Sequence, residues 1–308
     1  MQTILGANGV IGKELSKALV PYTSAIRQVS RKPQKVNATD EVFAADLTDY
    51  QQTLKAVEGS SVTYLTVGLR YHYKTWQRLW PLIVQNVINA CKISGSKLVF
   101  FDNVYMYGKV DGWMTEETPY RPASKKGKIR TMIAQTLHDE MQRGALPVII
   151  ARAADFYGPG AENSIPNILV LNNLNKGAKP QWMGDSNTRH SFTYTPDACR
   201  AVALLGNTPS AYNQVWHLPT DKNALTGKEF IRAACEIYGK ETKFSVLPTW
   251  MLRLAGLFKA EMGELVEMMY QYDYDYLFDS SKFENAFQFK PTTYQEGLRA
   301  TAALMKKH

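Results

Sequence analysis

Short apolar runs alternate with longer amphipathic ones through the first half of the chain. Thr3–Leu5, Ser24–Ser30, Val42–Ala45, Val62–Val67, Lys97–Phe101 and Pro147–Arg152 read as strands. Lys13–Leu19, Tyr50–Val57, Trp80–Ser94 and Lys128–Arg143 read as helices. In the third of these, Leu82, Ile83, Val87, Ile88 and Cys91 keep close to the period of about 3.6 residues. Strands alternating with helices of this length predict right-handed βαβ units and an α/β, doubly wound parallel sheet of the Rossmann kind. Such sheets take ligands at the carboxyl ends of their strands. Past Phe156 the texture changes. Gly158-Pro159-Gly160 punctuates the chain, and a helix is expected from about Ser164 to Lys176. From Thr226 onward come helical segments rich in Tyr and Met, ending in a helix over Tyr294–Leu304. The aromatic-acidic run Tyr270–Phe278 reads as a packed or interface segment. The expected organisation is a Rossmann domain over 1–155 plus about 190–220. A smaller, mostly helical substrate domain is expected over 156–189 plus 221–308.

The composition narrows the class. With 45% hydrophobic and 21% charged residues in 308, disorder is excluded. Cys91, Cys199 and Cys235 are scattered, which excludes a disulfide scaffold and a cysteine-built zinc site, so no metal is expected. That usage fits a reducing, cytoplasmic setting. No apolar run is long enough to span a bilayer, and the segment after Met1 enters a glycine motif rather than a signal peptide, so no membrane partner is expected. The net charge of +8 raises nucleic acid, an anionic membrane surface or an anionic small ligand as partners. The densest basic stretch, Lys125, Lys126, Lys128 and Arg130, is short and lacks interleaved aromatics, which argues against nucleic acid. A phosphate-bearing cofactor accounts for the basic balance more simply.

That cofactor has a place in the sequence. Gly6-Ala7-Asn8-Gly9-Val10-Ile11-Gly12 follows the first strand and opens the first helix. The first glycine permits the tight turn, the second lets backbone approach a pyrophosphate, and the third packs helix on strand. Gly6, Asn8, Gly9, Val10, Ile11 and Gly12 are therefore candidate cofactor contacts, with the helix N-terminus facing the phosphates. At the end of the second strand, Val29-Ser30-Arg31-Lys32 carries no acid to accept from a ribose 2′-hydroxyl. Arg31 offers charge and a fork of donors to a 2′-phosphate instead, so NADP(H) is expected, with NAD as the second choice. The competing reading of Arg31 and Lys32 is a solvated turn.

Further motifs resemble the extended short-chain dehydrogenase/reductase family, the NAD(P)-dependent epimerase/dehydratase group. Asp46-Leu47 is similar to its adenine-contacting acidic position, and Thr66-Val67-Gly68 to its small-residue turn beside the cofactor. Asn86 matches a helix asparagine, and Tyr107-Gly108 the end of the SSxxVYG strand. Arg152 to Gly160 resembles the R-x-x-x-x-YGPG segment, and Arg189 to Asp197 the R-D-F-x-x-V-x-D segment. Asp279-Ser280-Ser281-Lys282 and Pro291 to Leu298 resemble the closing signature. The resemblance implies a small, sugar-like carbonyl or hydroxyl substrate. It also implies a homodimer through Trp80–Ser94 and Lys128–Arg143.

The family's chemistry rests on Ser or Thr, Tyr and Lys, and here the pattern departs. Asn103 occupies the hydroxyl position, Lys126 the Tyr position and Arg130 the Lys position. Asn103 can still hydrogen-bond a substrate oxygen. Lys126 is a candidate acid/base beside the competing reading of a solvated lysine, and Tyr105 is the first alternative. Arg130 stays charged and is expected to hold a cofactor ribose hydroxyl or phosphate. The string Tyr105 to Lys109 has the Tyr–Lys spacing but lies at a strand end, where that spacing does not align side chains. Tyr107 reads as packing, His72 and His190 as ordinary loop residues, and Trp76 and Trp80 as cover for the nicotinamide side or the core. The expected function is an NADP(H)-dependent oxidoreductase or epimerase/dehydratase. The alternative is a non-catalytic NADP(H)-binding sensor that presents a surface to a partner.

Overall fold

The structure is a computed structural model. It describes residues 1–258 and 260–305, and the side chains of these except 255–258 and 260–262. The chain divides into two compact units. The first comprises Met1–Met106, Lys126–Arg152 and Ala198–Trp216, and the second Tyr107–Lys125, Ala153–Asp197 and His217–His308. Residues 107–125 and 190–197 thus fall in the second unit, not the first as the sequence suggested. The pairings explain this: Trp113–Met114 pairs with Leu277–Phe278, and Phe192–Tyr194 with Asp155–Tyr157.

The first unit is built on seven strands: β1 (Gln2–Leu5), β2 (Ile26–Ser30), β3 (Glu41–Ala44), β4 (Val62–Leu65), β5 (Lys97–Asp102), β6 (Val148–Arg152) and β7 (Gln214–His217). Their order is β7-β6-β5-β4-β1-β2-β3, and every pair from β6 to β3 is parallel. This is the doubly wound sheet expected from the alternating pattern. β1, β4 and β6 are buried at every position, as strands covered on both faces must be, whereas the edge strand β3 is largely exposed. Polar residues inside the sheet pair with one another: the hydroxyls of Thr63 and Ser96 lie 2.8 Å apart.

The helices that flank these strands include α1 (Val10–Leu19), α2 (Tyr50–Val57), α3 (Tyr73–Ser94) and α4 (Lys125–Arg143). α3 begins two turns before the expected Trp80. Pro81 lies inside it, and Trp76, Trp80, Ile83, Val87 and Cys91 continue one buried face across that proline. They pack with Phe100, Ile133 and Ile150 in the core. Gly95, in the left-handed region, ends the helix.

Asp40 fastens the segment before β3. Burial pushes its carboxyl up, but donors from the Asn37 backbone and amide, Gln28 and the Val36 backbone outweigh this and hold it below the ordinary 3.8. Its stabilising contribution is therefore complete above 3.8 and is lost as pH falls through the lower folded value. Urea midpoints of wild type and Asp40→Asn are expected to differ at neutral pH and to converge on acidification. A gap that persists unchanged to about pH 2 contradicts this.

In the second unit, Tyr157, Trp182, Phe192, Phe230 and Tyr294 form the core. The helix Gly227–Tyr238 starts on a capping box between Thr226 and Glu229, and Tyr294–Met305 is the terminal helix described. The helix expected over Ser164–Lys176 is present as one helical run through residues 165–175, π-wound over Asn167–Leu171 and α-helical again over Asn172–Asn175. Asn167 opens the π-wound stretch. Its amide donates to Gly158 O at 2.8 Å and accepts from Gly158 N at 3.3 Å, clasping the Gly-Pro-Gly segment. Among the described residues no helix is long and apolar enough to cross a membrane.

Candidate functional site

The glycine turn after β1 is shaped by what it excludes. Gly6 has φ +96°, and a Cβ there would stand 2.8 Å from the Val67 backbone. A Cβ on Gly12 would stand 2.7 Å from both Gly6 O and Ala7 Cα. Only hydrogen fits at either place, so α1 starts tightly against the end of β1. Gly9 caps α1 in an extended conformation, with no side-chain cap bond and no acid in the first turn. The leading backbone N–H groups of Val10 and Ile11 are thus not taken by a cap, and the helix end favours an anion.

The other predicted cofactor positions gather at the same edge of the sheet. Asn8 donates to Lys32 O at 2.7 Å, tying the glycine turn to the segment after β2. Arg31 is exposed. Asp46 is held below its ordinary range first by hydrogen bonds from the Thr48 backbone and hydroxyl, against a smaller burial effect, and then by the Arg31 charge. Leu47 is buried, and its carbonyl accepts from Asn86 Nδ2 at 2.9 Å, which gives the helix asparagine a job. Thr66 donates to Leu5 O from both backbone (2.9 Å) and hydroxyl (3.1 Å), holding Val67 against Gly6; Gly68 is exposed.

The positions of the altered triad are also in the first unit. Asn103 is half-buried, and its Oδ1 accepts from Tyr105 N at 3.1 Å. The half-buried Tyr105 ring stacks on Trp76 at 6.3 Å and 12°. Lys126 is 0% exposed, with Nζ 4.4 Å from the Tyr71 ring centre, so the solvated-lysine reading is corrected. Its place one turn before Arg130 on α4 buries it on that helix's inner face. Arg130 is buried too, its guanidinium 4.2 Å from the Trp80 ring and 3.4 Å from Asp102 Oδ1. Its Nε and NH1 have no hydrogen-bond partner among the described residues. Arg152 approaches the other oxygen of Asp102 at 3.5 Å. Burial pushes the Asp102 carboxyl up, opposed by Arg130 and then Arg152. Burial pulls Arg130 down, opposed by Asp102. Asp102 is a residue sequence reading missed, and the acid closing the apolar strand Lys97–Asp102 was its one signal. Trp76 and Trp80 belong to the core.

In the second unit, Tyr107 is committed to structure. His217 Nδ1 lies 2.8 Å from Asp279 O and must donate to it, so Nε2 accepts from the Tyr107 hydroxyl at 2.8 Å. His190 is no ordinary loop residue. It sits in a short strand, buried, stacked on Phe192, Tyr272 and Tyr276 at 4.3–4.6 Å. Its Nε2 lies 3.2 Å from Asp155 Oδ2, which also accepts from Tyr272 OH at 2.9 Å. His190, Asp155 and Tyr272 lie far apart in sequence, so no local spacing announced their cluster. His72 stands at the start of α3, with Nδ1 3.3 Å from the Thr75 hydroxyl. Among the described residues no group of three or more His, Cys, Asp or Glu side chains could hold a metal.

Residues 3–217 match the NAD dependent epimerase/dehydratase family. The chain belongs to that family. A curated relative is a 3beta-hydroxysteroid-dehydrogenase/decarboxylase isoform 2 of Arabidopsis thaliana, 22% identical over 352 aligned positions that cover 97% of this chain and 60% of the relative. The chain spans 60–65% of the length of the curated relatives it matches. Among solved structures, a dTDP-glucose 4,6-dehydratase from Bacillus anthracis in complex with NAD superposes with a TM-score of 0.80 at 18% identity, covering 99% of this chain and 96% of that one. A UDP-glucuronic acid 4-epimerase from Bacillus cereus with NAD gives 0.78 at 18% identity, over 100% and 99%. At such identities the likeness to solved structures shows a shared fold. In this epimerase/dehydratase family member, the glycine turn stands at the first strand of that fold, at the carboxyl edge of the sheet.

Proposed function

We propose that the protein binds NADP(H) at the glycine turn and acts as an oxidoreductase or epimerase/dehydratase on a small, sugar-like carbonyl or hydroxyl substrate. The observation that carries this is the cradle at Gly6 and Gly12, which any Cβ would fill. The fold neighbours that hold NAD support a nicotinamide dinucleotide at this turn, and the choice of NADP(H) rests on Arg31. The cofactor supplies the hydride when bound. Gly9, Val10 and Ile11 present backbone to its diphosphate, with Asn8 fixing their turn to the segment where Arg31 meets a 2′-phosphate. Asp46 and Leu47 take the adenine end, and Thr66, Val67 and Gly68 line the path toward the nicotinamide. Arg130, whose NH1 is paired with Asp102 and whose Nε has no hydrogen-bond partner among the described residues, is the donor for a ribose hydroxyl. Asn103 hydrogen-bonds the substrate oxygen, and Lys126 or Tyr105 moves the proton. A lysine at the proton-donor position replaces a phenol: the ammonium is cationic before it gives its proton and neutral after, whereas a phenol is neutral before and anionic after.

A second reading, an NADP(H) sensor without turnover, is favoured by the complete burial of Lys126 and the packing of Arg130 into aromatic rings. Supplying NADPH with a panel of carbonyls and nucleotide sugars separates the two. Turnover lost in Lys126→Ala or Tyr105→Phe supports the enzyme, whereas tight cofactor binding without turnover supports the sensor. For the cofactor itself, Arg31→Ser is expected to weaken NADP(H) about 10–100-fold, the worth of a charge-assisted pair, and to leave NAD(H) nearly unchanged. Wild type that binds NAD(H) the tighter of the two refutes the NADP(H) assignment.

A further inference from the structure

The second unit exposes a set of large apolar side chains that its core does not use. On the helix Thr249–Phe258, Trp250 is 62% exposed, Leu254 53% and Met251 43%; Val246, on the strand Ser245–Leu247 just before it, is 40% exposed. Single exposed apolar residues are ordinary, but four in one short stretch, with a tryptophan the most open, mark an interaction surface. Trp250, Met251 and Leu254 share a helix face by their spacing, while Leu252 turns inward and is buried.

Exposed basic residues lie beside them, with Glu264 on the adjoining helix Ala260–Val266 and Asp273, which accepts from the Thr249 hydroxyl, as nearby acids. Lys240, Lys243 and Arg253 are exposed, and Glu241, paired with Lys243, is the one acid in the sequence from Lys240 to Leu254. Lys179 is exposed as well, and its neighbour Pro180 accepts from Ser245 N at 3.2 Å, which brings that lysine to the foot of the same strand. The whole chain carries +8. A second copy would set this basic rim against itself, because a two-fold contact juxtaposes the same patch. An anionic partner suits both features. Tryptophan and leucine beside lysine and arginine form the pattern of segments that lie in a bilayer interface, where the indole sits at headgroup level.

We propose that the face carrying Val246, Trp250, Met251 and Leu254 is a docking surface for an anionic lipid membrane, on which the protein rests without crossing it. The apolar side chains enter the acyl boundary, and Lys179, Lys240, Lys243 and Arg253 face the headgroups. The inference is independent of cofactor binding and of turnover.

The test is co-sedimentation of the full chain with vesicles of equimolar phosphatidylcholine and phosphatidylserine, beside vesicles of phosphatidylcholine alone. The protein is expected to pellet with the mixed vesicles, to remain in solution with the neutral ones, and to be released by salt. Trp250→Ser combined with Leu254→Ser is expected to lower binding about tenfold or more, with the circular dichroism and melting of wild type. Should that variant misfold, the surface charge reversals Lys240→Glu, Lys243→Glu and Arg253→Glu, made together, give the same loss, since each basic residue near the surface is worth about fivefold. The proposal is overturned if wild type ignores the mixed vesicles, if it pellets equally with neutral ones, or if folded variants bind as wild type does. It is also overturned if the wild type doubles its mass with concentration and the Trp250→Ser, Leu254→Ser variant does not, because the occupant is then a second copy.

Discussion

Gly12→Ala is expected to weaken NADPH binding by at least about a hundredfold and to destabilise the fold by about 2–3 kcal/mol. The added methyl would stand 2.7 Å from Gly6 O and Ala7 Cα and 2.8 Å from Ala7 O, all backbone, so no side chain can swing aside to admit it. α1 must then retreat from β1, and its leading N–H groups move with it. Relief of strain and loss of the diphosphate contact go together, which is why one methyl moves both readouts. Fluorescence titration of NADPH and urea unfolding of the same sample check the two halves. A variant that binds within threefold of wild type would show that the turn does not hold the cofactor.

Asp102→Asn is expected to cost about 3–5 kcal/mol of stability, the range for removing one partner of a buried ion pair. Asp102 is completely buried and sits between Arg130 at 3.4 Å and Arg152 at 3.5 Å. Without the carboxylate, two buried guanidinium groups lose the anion that both approach, and burial already works against the charge of Arg130. The aromatic rings of Trp76, Trp80 and Phe100 remain around Arg130, but a ring quadrupole is a weaker partner than a carboxylate. Adding Arg130→Met to Asp102→Asn should recover part of the loss, because it removes one of the stranded charges. Urea denaturation of the two variants measures this. A loss below about 1 kcal/mol for Asp102→Asn would mean that the two arginines are neutralised in another way.

Local patterns told much of this story in advance. The apolar strands were legible because a parallel sheet covered on both faces leaves near-continuous runs such as Val148 to Ala151. The glycine turn was legible because each glycine answers to a local steric demand, and Gly6 and Gly12 meet it at the atoms described. The start of α3 was misplaced because Pro81 stands inside the helix, where the interior of a helix normally tolerates none. The candidate site was less legible. Lys126 resembled a solvated lysine among neighbouring charges, and only its position on the inner face of α4 buries it against Tyr71. Asp102, Arg130 and Arg152 come from three separate elements, so their ion cluster exists only once β5, β6 and α4 have packed. The Asp155, His190 and Tyr272 cluster is the same kind of long-range product, assembled by the pairing of Asp155–Tyr157 with Phe192–Tyr194.

Everything proposed for this chain's chemistry depends on pyridine nucleotide being taken up at the start of α1. Calorimetric titration of the full chain with NADPH tests that most directly. A saturable isotherm with one nucleotide per chain, competed by NADP⁺ and abolished in Gly12→Ala, is the predicted result. A titration that shows no binding in wild type, or a Gly12→Ala isotherm that overlays it, contradicts the account.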